Sequence, residues 1–201
     1  MKITKIAQQV KRVDRYSVFV DDKYAFSLSE SALLESRLAR GQELNEEQIA
    51  HYKELSADDK LYQQTLRYMA MRPRTQWEIE QYLQRKHSPA PLIEQITNKL
   101  VKVGLINDAQ WAAAFVHDRL LFRPTSRRKI ILELKKKHVP ESVIEAVFEE
   151  ATVDEPALLH QVIAKKRRQL KYQDNLKLMQ YLARQGFRYD DIKNALQTVD
   201  D

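Results

Sequence analysis

The sequence predicts a mainly α protein: tandem three-helix repeats forming an elongated curved rod, preceded by a small N-terminal β-hairpin region. Three observations carry that prediction. The first is an internal repeat. Arg72-Pro73-Arg74, Leu83, Lys86-His87, Pro89 and Ile93 recur 51 residues later as Arg123-Pro124-Thr125, Leu134, Lys137-His138, Pro140 and Ile144. A weaker third copy, Leu182, Gln185-Gly186 and Ile192, lies 48 residues further on. A period near 50 suits one small helical unit used three times, each burying its apolar face against the next. The second is composition: 201 residues with 43% hydrophobic content hold only 3 glycines and 6 prolines, which favours regular backbone around a real core. The third is a change of period. Apolar residues alternate in residues 1–28 and fall at helical spacing from about residue 58 onward.

The elements follow in order. Tyr16, Val18 and Val20 alternate up to Asp21-Asp22, and Tyr24, Phe26 and Leu28 alternate after it, which predicts a hairpin with a polar turn. Ile3, Ile6 and Val10 can supply another strand, and a hairpin needs such support because two strands alone are marginal. Ser29 to Leu38 reads as a short helix with Gly41 as its stop, and Asn45 caps a helix through about Glu54.

The first repeat then has helices at about 58–71, 76–87 and 90–102. Thr75 and Glu78 form a capping-box pattern, and Gly104 ends the third helix. Ile79, Tyr82 and Leu83 face the core from the second helix, and Leu92, Ile93, Ile96 and Leu100 from the third. In the second repeat Asn107-Asp108 cap a helix carrying Trp111, Phe115, Leu120 and Phe122. Ser126 caps the next, with Ile130, Leu132 and Leu134 to bury, and Pro140 opens a third at its first turn, lined by Val143, Ile144, Val147 and Phe148. In the third repeat Asp154 precedes Leu158, Leu159, Val162 and Ile163. Asp174 or a neighbour caps a helix with Leu178, Tyr181 and Leu182, closed by Gly186-Phe187, and the last helix runs from Tyr189 to about Val199. The chain thus divides into residues 1–55, a β-hairpin with short helices, and three repeats at 56–106, 107–152 and 153–201.

Composition narrows the chemistry. A formal net charge of +6 and a pI near 9.4 favour an anionic partner. The absence of cysteine excludes disulfides, thiolate catalysis and cysteine-based zinc sites. No signal-peptide core or bilayer-length apolar run is present, so a cytoplasmic, soluble chain is expected. There is no phosphate loop, dinucleotide glycine fingerprint or metal-binding His-Glu-x-x-His. None of His51, His87, His117, His138 and His160 has a metal-like partner at helical spacing, and His87 and His138 hold equivalent places at the end of a second helix, which suits a helix-terminal role. Asp190-Asp191 suit the first turn of the last helix, where the dipole favours acids. No catalytic residue, metal or cofactor is expected. Trp77 and Trp111 each sit early in a repeat helix, where packing between units is at least as good a use as a partner contact.

The cations cluster by repeat. The first has Arg72, Arg74, Arg85 and Lys86, the second Arg119, Arg123, Arg127, Arg128, Lys129, Lys135, Lys136 and Lys137, and the third Lys165, Lys166, Arg167 and Arg168. If the units stack alike, these form one stripe suited to a phosphate backbone or an acidic protein groove. They are the candidate binding residues.

Several stretches together resemble the RecX family of bacterial regulatory proteins. They are Leu66-Arg67-Tyr68, Arg72-Pro73-Arg74-Thr75, Glu78-Ile79 and Leu83, then Val103-Gly104-Leu105-Ile106-Asn107-Asp108, Trp111-Ala112 and Phe115-Val116-His117-Asp118-Arg119. The likeness continues through Arg123-Pro124 and Leu132-Glu133-Leu134-Lys135-Lys136-Lys137, and it closes with Tyr181-Leu182-Ala183-Arg184-Gln185-Gly186-Phe187-Arg188-Tyr189-Asp190-Asp191-Ile192. It covers about residues 58–198, and the hairpin resembles the extension of longer members less specifically. The resemblance implies tandem three-helix repeats that lodge in the groove of the RecA recombinase filament and modulate it, chiefly by inhibiting strand exchange, ATP hydrolysis and coprotease activity. It implies a role around DNA repair, with weak direct DNA binding besides, and a monomer without enzymatic activity is expected. His87 and His138 depart from the family pattern, standing where many relatives have glycine, whereas the third repeat keeps it as Gly186; Asn107 stands where aspartate is common. The rival reading is a helical repeat protein acting directly on single- or double-stranded DNA, although Lys135-Lys136-Lys137 suit phosphates better than base reading.

Overall fold

The structure, a computed structural model, describes residues 1–151 and 153–200, the last three of these by their backbone alone. The chain is mainly α-helical, with a small antiparallel sheet ahead of tandem three-helix domains. It divides into two compact units. One comprises Met1–Pro73 and Tyr82–Ile96, the other Arg74–Gln81 and the chain from Thr97 onward. The repeat boundary drawn at Thr152 lies outside the described residues.

In the first unit three strands, β1 (Ile3–Gln9), β2 (Arg12–Val20) and β3 (Lys23–Ser29), pair antiparallel in the order β1-β2-β3. Asp21 and Asp22 turn the hairpin with φ of 47° and 64°, the positive pair that matches strand twist in a two-residue turn. One sheet face buries Ile3, Val18, Val20, Phe26 and Leu28 together with Leu38 and Leu44. Helix α1 (Glu30–Ser36) starts on the Ser29 hydroxyl and stops at Arg37, which takes a left-handed φ of 51°. Gly41, the expected stop, instead lies in a later turn at φ 92°, where its amide donates to the Ile3 carbonyl at 2.8 Å.

A second expectation is corrected here. Helices ending near Glu54 and beginning near Asp58 are one continuous helix, α2 (Glu46–Ala70), 25 residues long. No glycine or proline interrupts it, and an Asn45–Gln48 capping box fixes its start. Asp59, inside this helix, is turned to the sheet. Its carboxylate accepts from Arg15 Nη1 at 3.0 Å, the Ser29 amide at 2.8 Å and the Ser29 hydroxyl at 2.6 Å. Tyr52 of α2 stacks on Phe26 at 5.4 Å, closing the sheet against the helix.

Helices α3 (Gln76–Arg85) and α4 (Ala90–Lys102) contribute residues to both units. The second unit continues with α5 (Asp108–Phe122), α6 (Arg127–Lys136), α7 (Glu141–Glu150) and α8 (Glu155–Arg167). A 3₁₀ turn at Leu170–Tyr172, α9 (Asn175–Arg184) and α10 (Tyr189–Asp200) follow. Asn107, Ser126, Asp154 and Asp174 accept amide hydrogen bonds from the first turns of α5, α6, α8 and α9. Pro140 precedes α7 as its N-cap at φ −56°, ψ 142°, one place earlier than expected.

Two cores fill this unit. One joins Ala112, Val116, Ile130, Leu134, Ile144 and Phe148, the other Leu158, Leu159, Ile163, Leu178, Leu182 and Ile192, and Leu120 and Val153 pack against both. On α5 the buried residues are Ala112 and Val116, whereas Trp111 and Phe115 stack at 5.1 Å on a half-buried edge and Phe122 is exposed. Leu132 is 52% exposed rather than buried, because Ile130 and Leu134 set the inward face of α6 and a residue two positions from each points away.

Candidate interaction surface

Helix α6 organises the candidate residues, and its three faces have separate uses. Ile130 and Leu134, both fully buried, form the inward face. Lys129 and Lys137 form lateral contacts. Arg128, Leu132, Lys135 and Lys136, spaced i, i+4, i+7 and i+8, are all exposed on the outward face. Lys135 also pairs with Glu141 at 2.9 Å, but both groups are about half exposed, so the pair holds the lysine only weakly.

The lateral lysines are structural. Lys129 Nζ donates to the Arg184 carbonyl and to Gln185 Oε1, both at 2.9 Å, and so closes the C-terminus of α9. The Thr125 hydroxyl donates to the Gln185 carbonyl at 2.8 Å, and the Ser126 amide does so at 3.1 Å. At the other end of α6 the Thr75 hydroxyl donates to the Lys137 carbonyl at 3.2 Å, and Lys137 Nζ reaches the buried Glu78 carboxylate at 2.8 Å. The ends of successive second helices therefore abut: the C-terminus of α9 meets the start of α6, and the C-terminus of α6 meets the start of α3. Opposite dipole ends face one another at each junction.

Carboxylates repeat the same grammar. Asp108 accepts from the Gln76 amide at 2.8 Å, and Glu155 from the Arg127 amide at 3.2 Å. Each reaches from the first helix of one repeat to the second helix of the repeat before it. Burial pushes the Asp108 carboxyl above its ordinary range; the Gln76 amide pulls against that, and Glu80 and Glu78 add to the rise. Residues left-handed at the end of each second helix complete the pattern: His87 at φ 57°, His138 at 55° and Gly186 at 88°. His138 stacks on Trp77 at 4.4 Å, so that tryptophan serves packing between repeats. A Cβ on Gly186 would stand 2.4 Å from Ser126 Oγ and 2.9 Å from the Lys129 Cβ, which explains glycine there.

The remaining candidates divide similarly. Arg119 pairs with Glu133 at 2.8 Å and lies over Phe115, with its guanidinium carbon 4.8 Å from the ring centre. Arg167 donates to the Gln173 carbonyl at 2.7 Å and to Asn175, holding the 3₁₀ turn. Lys166 lies over Tyr181 at 4.5 Å. Arg127 lies over Phe148 at 4.9 Å, and Lys86 over Tyr82 at 5.6 Å. Arg72 donates to the Pro73 carbonyl at 3.0 Å, and Arg74 is half-buried with partners of its own. Arg85, Arg123, Arg128, Lys136, Lys165 and Arg168 are exposed. Arg72, Arg85 and Lys86 belong to the first unit and the others to the second. Among the described residues no group of three or more histidine or acidic side chains is placed to hold a metal ion, and no helix is long and apolar enough to cross a membrane.

Comparison with known proteins gives the same domain pattern along the chain. The RecX N-terminal domain matches residues 1–45, and the first, second and third three-helix domains of RecX match 62–100, 107–147 and 154–196. A regulatory protein RecX from Bacillus pumilus is 30% identical over 99% of this chain and 78% of its own length. One from Lactobacillus delbrueckii subsp. bulgaricus is 35% identical over 76% of this chain, but the match spans only 56% of that relative. A crystal structure of a regulatory protein RecX superposes with a TM-score of 0.79 at 30% identity, covering 98% of both chains. RecX from Lactobacillus salivarius gives 0.59 at 26% identity, over 71% of this chain and 96% of the other.

Proposed function

Because this chain belongs to the RecX family of regulatory proteins, we propose that it is a non-enzymatic regulator that binds the RecA recombinase filament and lowers its recombinase, ATPase and coprotease activities. The observation that carries this reading is the outward face of α6, where Arg128, Lys135 and Lys136 surround an exposed leucine. That face offers charge and apolar area for docking. Arg123 at the end of α5 and Lys165 and Arg168 near the end of α8 extend the set. The protein works as a cytoplasmic monomer without a cofactor, and it changes the filament by binding one of its conformations better than another.

The test is the single-stranded-DNA-dependent ATPase of the cognate recombinase, titrated with this protein while DNA is in large excess. Inhibition well below stoichiometry is the expected result, because DNA competition cannot produce it. No inhibition, together with salt-sensitive binding to bare DNA, would replace this reading by the direct DNA-binding one.

A further inference from the structure

A cavity of about 340 Å³ opens beside the sheet of the first unit, at the small end of the range for ligand sites (~300–1,000 Å³). One wall is a single face of α2, with Lys53, Ser56 and Lys60 at i, i+3 and i+7. The floor is internally satisfied. Arg15 is paired with Asp59 and also donates to Ser27, and the Ser56 hydroxyl donates to the Ser27 carbonyl at 2.6 Å. The rim is different. Arg12, Lys53 and Lys60 are exposed, no carboxylate lines the cavity, and among the described residues none of the three has an ion-pair partner. Three uncompensated cations around one concavity raise the local concentration of anions. Tyr24 stands on the same rim, 58% exposed, with its ring held edge-on by Phe19 at 6.1 Å.

We infer that this cavity binds single-stranded nucleic acid, with Arg12, Lys53 and Lys60 on successive phosphates and Tyr24 stacking on a base. Lys53 and Lys60 leave the helix about 10 Å apart along its axis, wider than one compact anion and within side-chain reach of two phosphates of one strand. A fixed, exposed ring needs an unstacked base to face it, which a single strand supplies and a duplex withholds. The cavity's lining residues precede the first matched three-helix domain, which begins at residue 62, and none of them belongs to the filament-docking set proposed above.

The test uses the full chain without any recombinase, so its failure is distinct from failure of the filament reading. Binding of a fluorescein-labelled oligothymidylate is followed by anisotropy across a salt series. Lys53→Glu with Lys60→Glu is expected to weaken binding by about tenfold or more and to reduce the salt slope by about 2, whereas Tyr24→Leu weakens it with the slope unchanged. Thermal melts confirm folding. If the double variant does not fold, Arg12→Gln and Tyr24→Leu decide in its place. The site is overturned if these folded variants bind like the parent, or if only Arg128→Glu with Lys135→Glu abolishes binding. It is also overturned if polyglutamate displaces the oligonucleotide as well as polyphosphate does and Tyr24→Leu has no effect, since the cavity would then take an acidic protein segment.

Discussion

Arg15 and Asp59 form a deeply buried ion pair, with side chains 3% and 7% exposed. The guanidinium also donates to the Ser27 carbonyl at 2.7 Å and its hydroxyl at 3.1 Å, so both charges are well supplied with partners. Such a pair adds little net stability over apolar packing, yet breaking one side strands the other charge. Asp59→Ala is expected to cost about 3–5 kcal/mol in urea unfolding followed by circular dichroism, and Asp59→Asn less, since its amide oxygen still accepts. A loss below about 1 kcal/mol for Asp59→Ala would mean the charge is hydrated in solution. At Asp108 the carboxyl is raised above its ordinary range, with burial the largest cause. The folded state then holds this proton more tightly than the unfolded chain does. Its ionised form therefore costs stability at neutral pH, and that cost disappears as pH falls through the raised pKa toward the ordinary 3.8. Asp108→Asn keeps the acceptor for the Gln76 amide and removes the charge. It is expected to be more stable than the parent by about 0.5 kcal/mol at pH 7, a modest figure because the site is half open to water, with the difference vanishing below that window.

At the scale of elements, the second helix of each repeat ends in the same left-handed step, but its neighbour decides which residue can stand there. Gly186 has Ser126 and Lys129 pressed against it, so Gly186→Ala adds a collision to an already unfavourable φ of 88°. A loss of about 2–4 kcal/mol is expected in thermal or urea unfolding. His138→Gly relieves the backbone at φ 55° but loses the ring stack on Trp77, and the two effects should nearly cancel. The same contrast explains what was legible in the sequence. Caps at Asn45, Thr75, Asn107, Ser126, Asp154 and Asp174 depend on residues two or three positions away, and a short window shows them. The role of Asp59 was not legible, because nothing nearby announces Arg15, 44 residues earlier. Nor could spacing reveal that Lys137 is committed to Glu78, 59 residues away, while Lys136 beside it is exposed. The cavity under Tyr24 was missed for the same reason, since its walls come from three strands and a helix.

For the whole molecule the question is which cations are free to act on a partner and which hold the repeats together. Adjacent lysines on α6 separate the two roles. Lys137 closes the junction with α3, through its ammonium on Glu78 and its carbonyl under Thr75, whereas Lys135 and Lys136 project from the outward face. Lys137→Gln removes the cation from a carboxylate that is 9% exposed and should lower stability by on the order of 1 kcal/mol, leaving inhibition of the recombinase intact while the protein stays folded. Lys135→Glu with Lys136→Glu should do the reverse. Its melting temperature should stay close to that of the parent, because exposed charges contribute little to folding. The concentration needed to halve recombinase ATPase should rise about tenfold or more, because like charges then meet across the docking face. Measuring both quantities on both variants distinguishes docking from scaffolding. If the Lys135/Lys136 variant inhibits like the parent, the outward face of α6 is not the contact. If Lys137→Gln alone abolishes inhibition without a loss of stability, the junction between α6 and α3 is itself part of the surface that the filament reads.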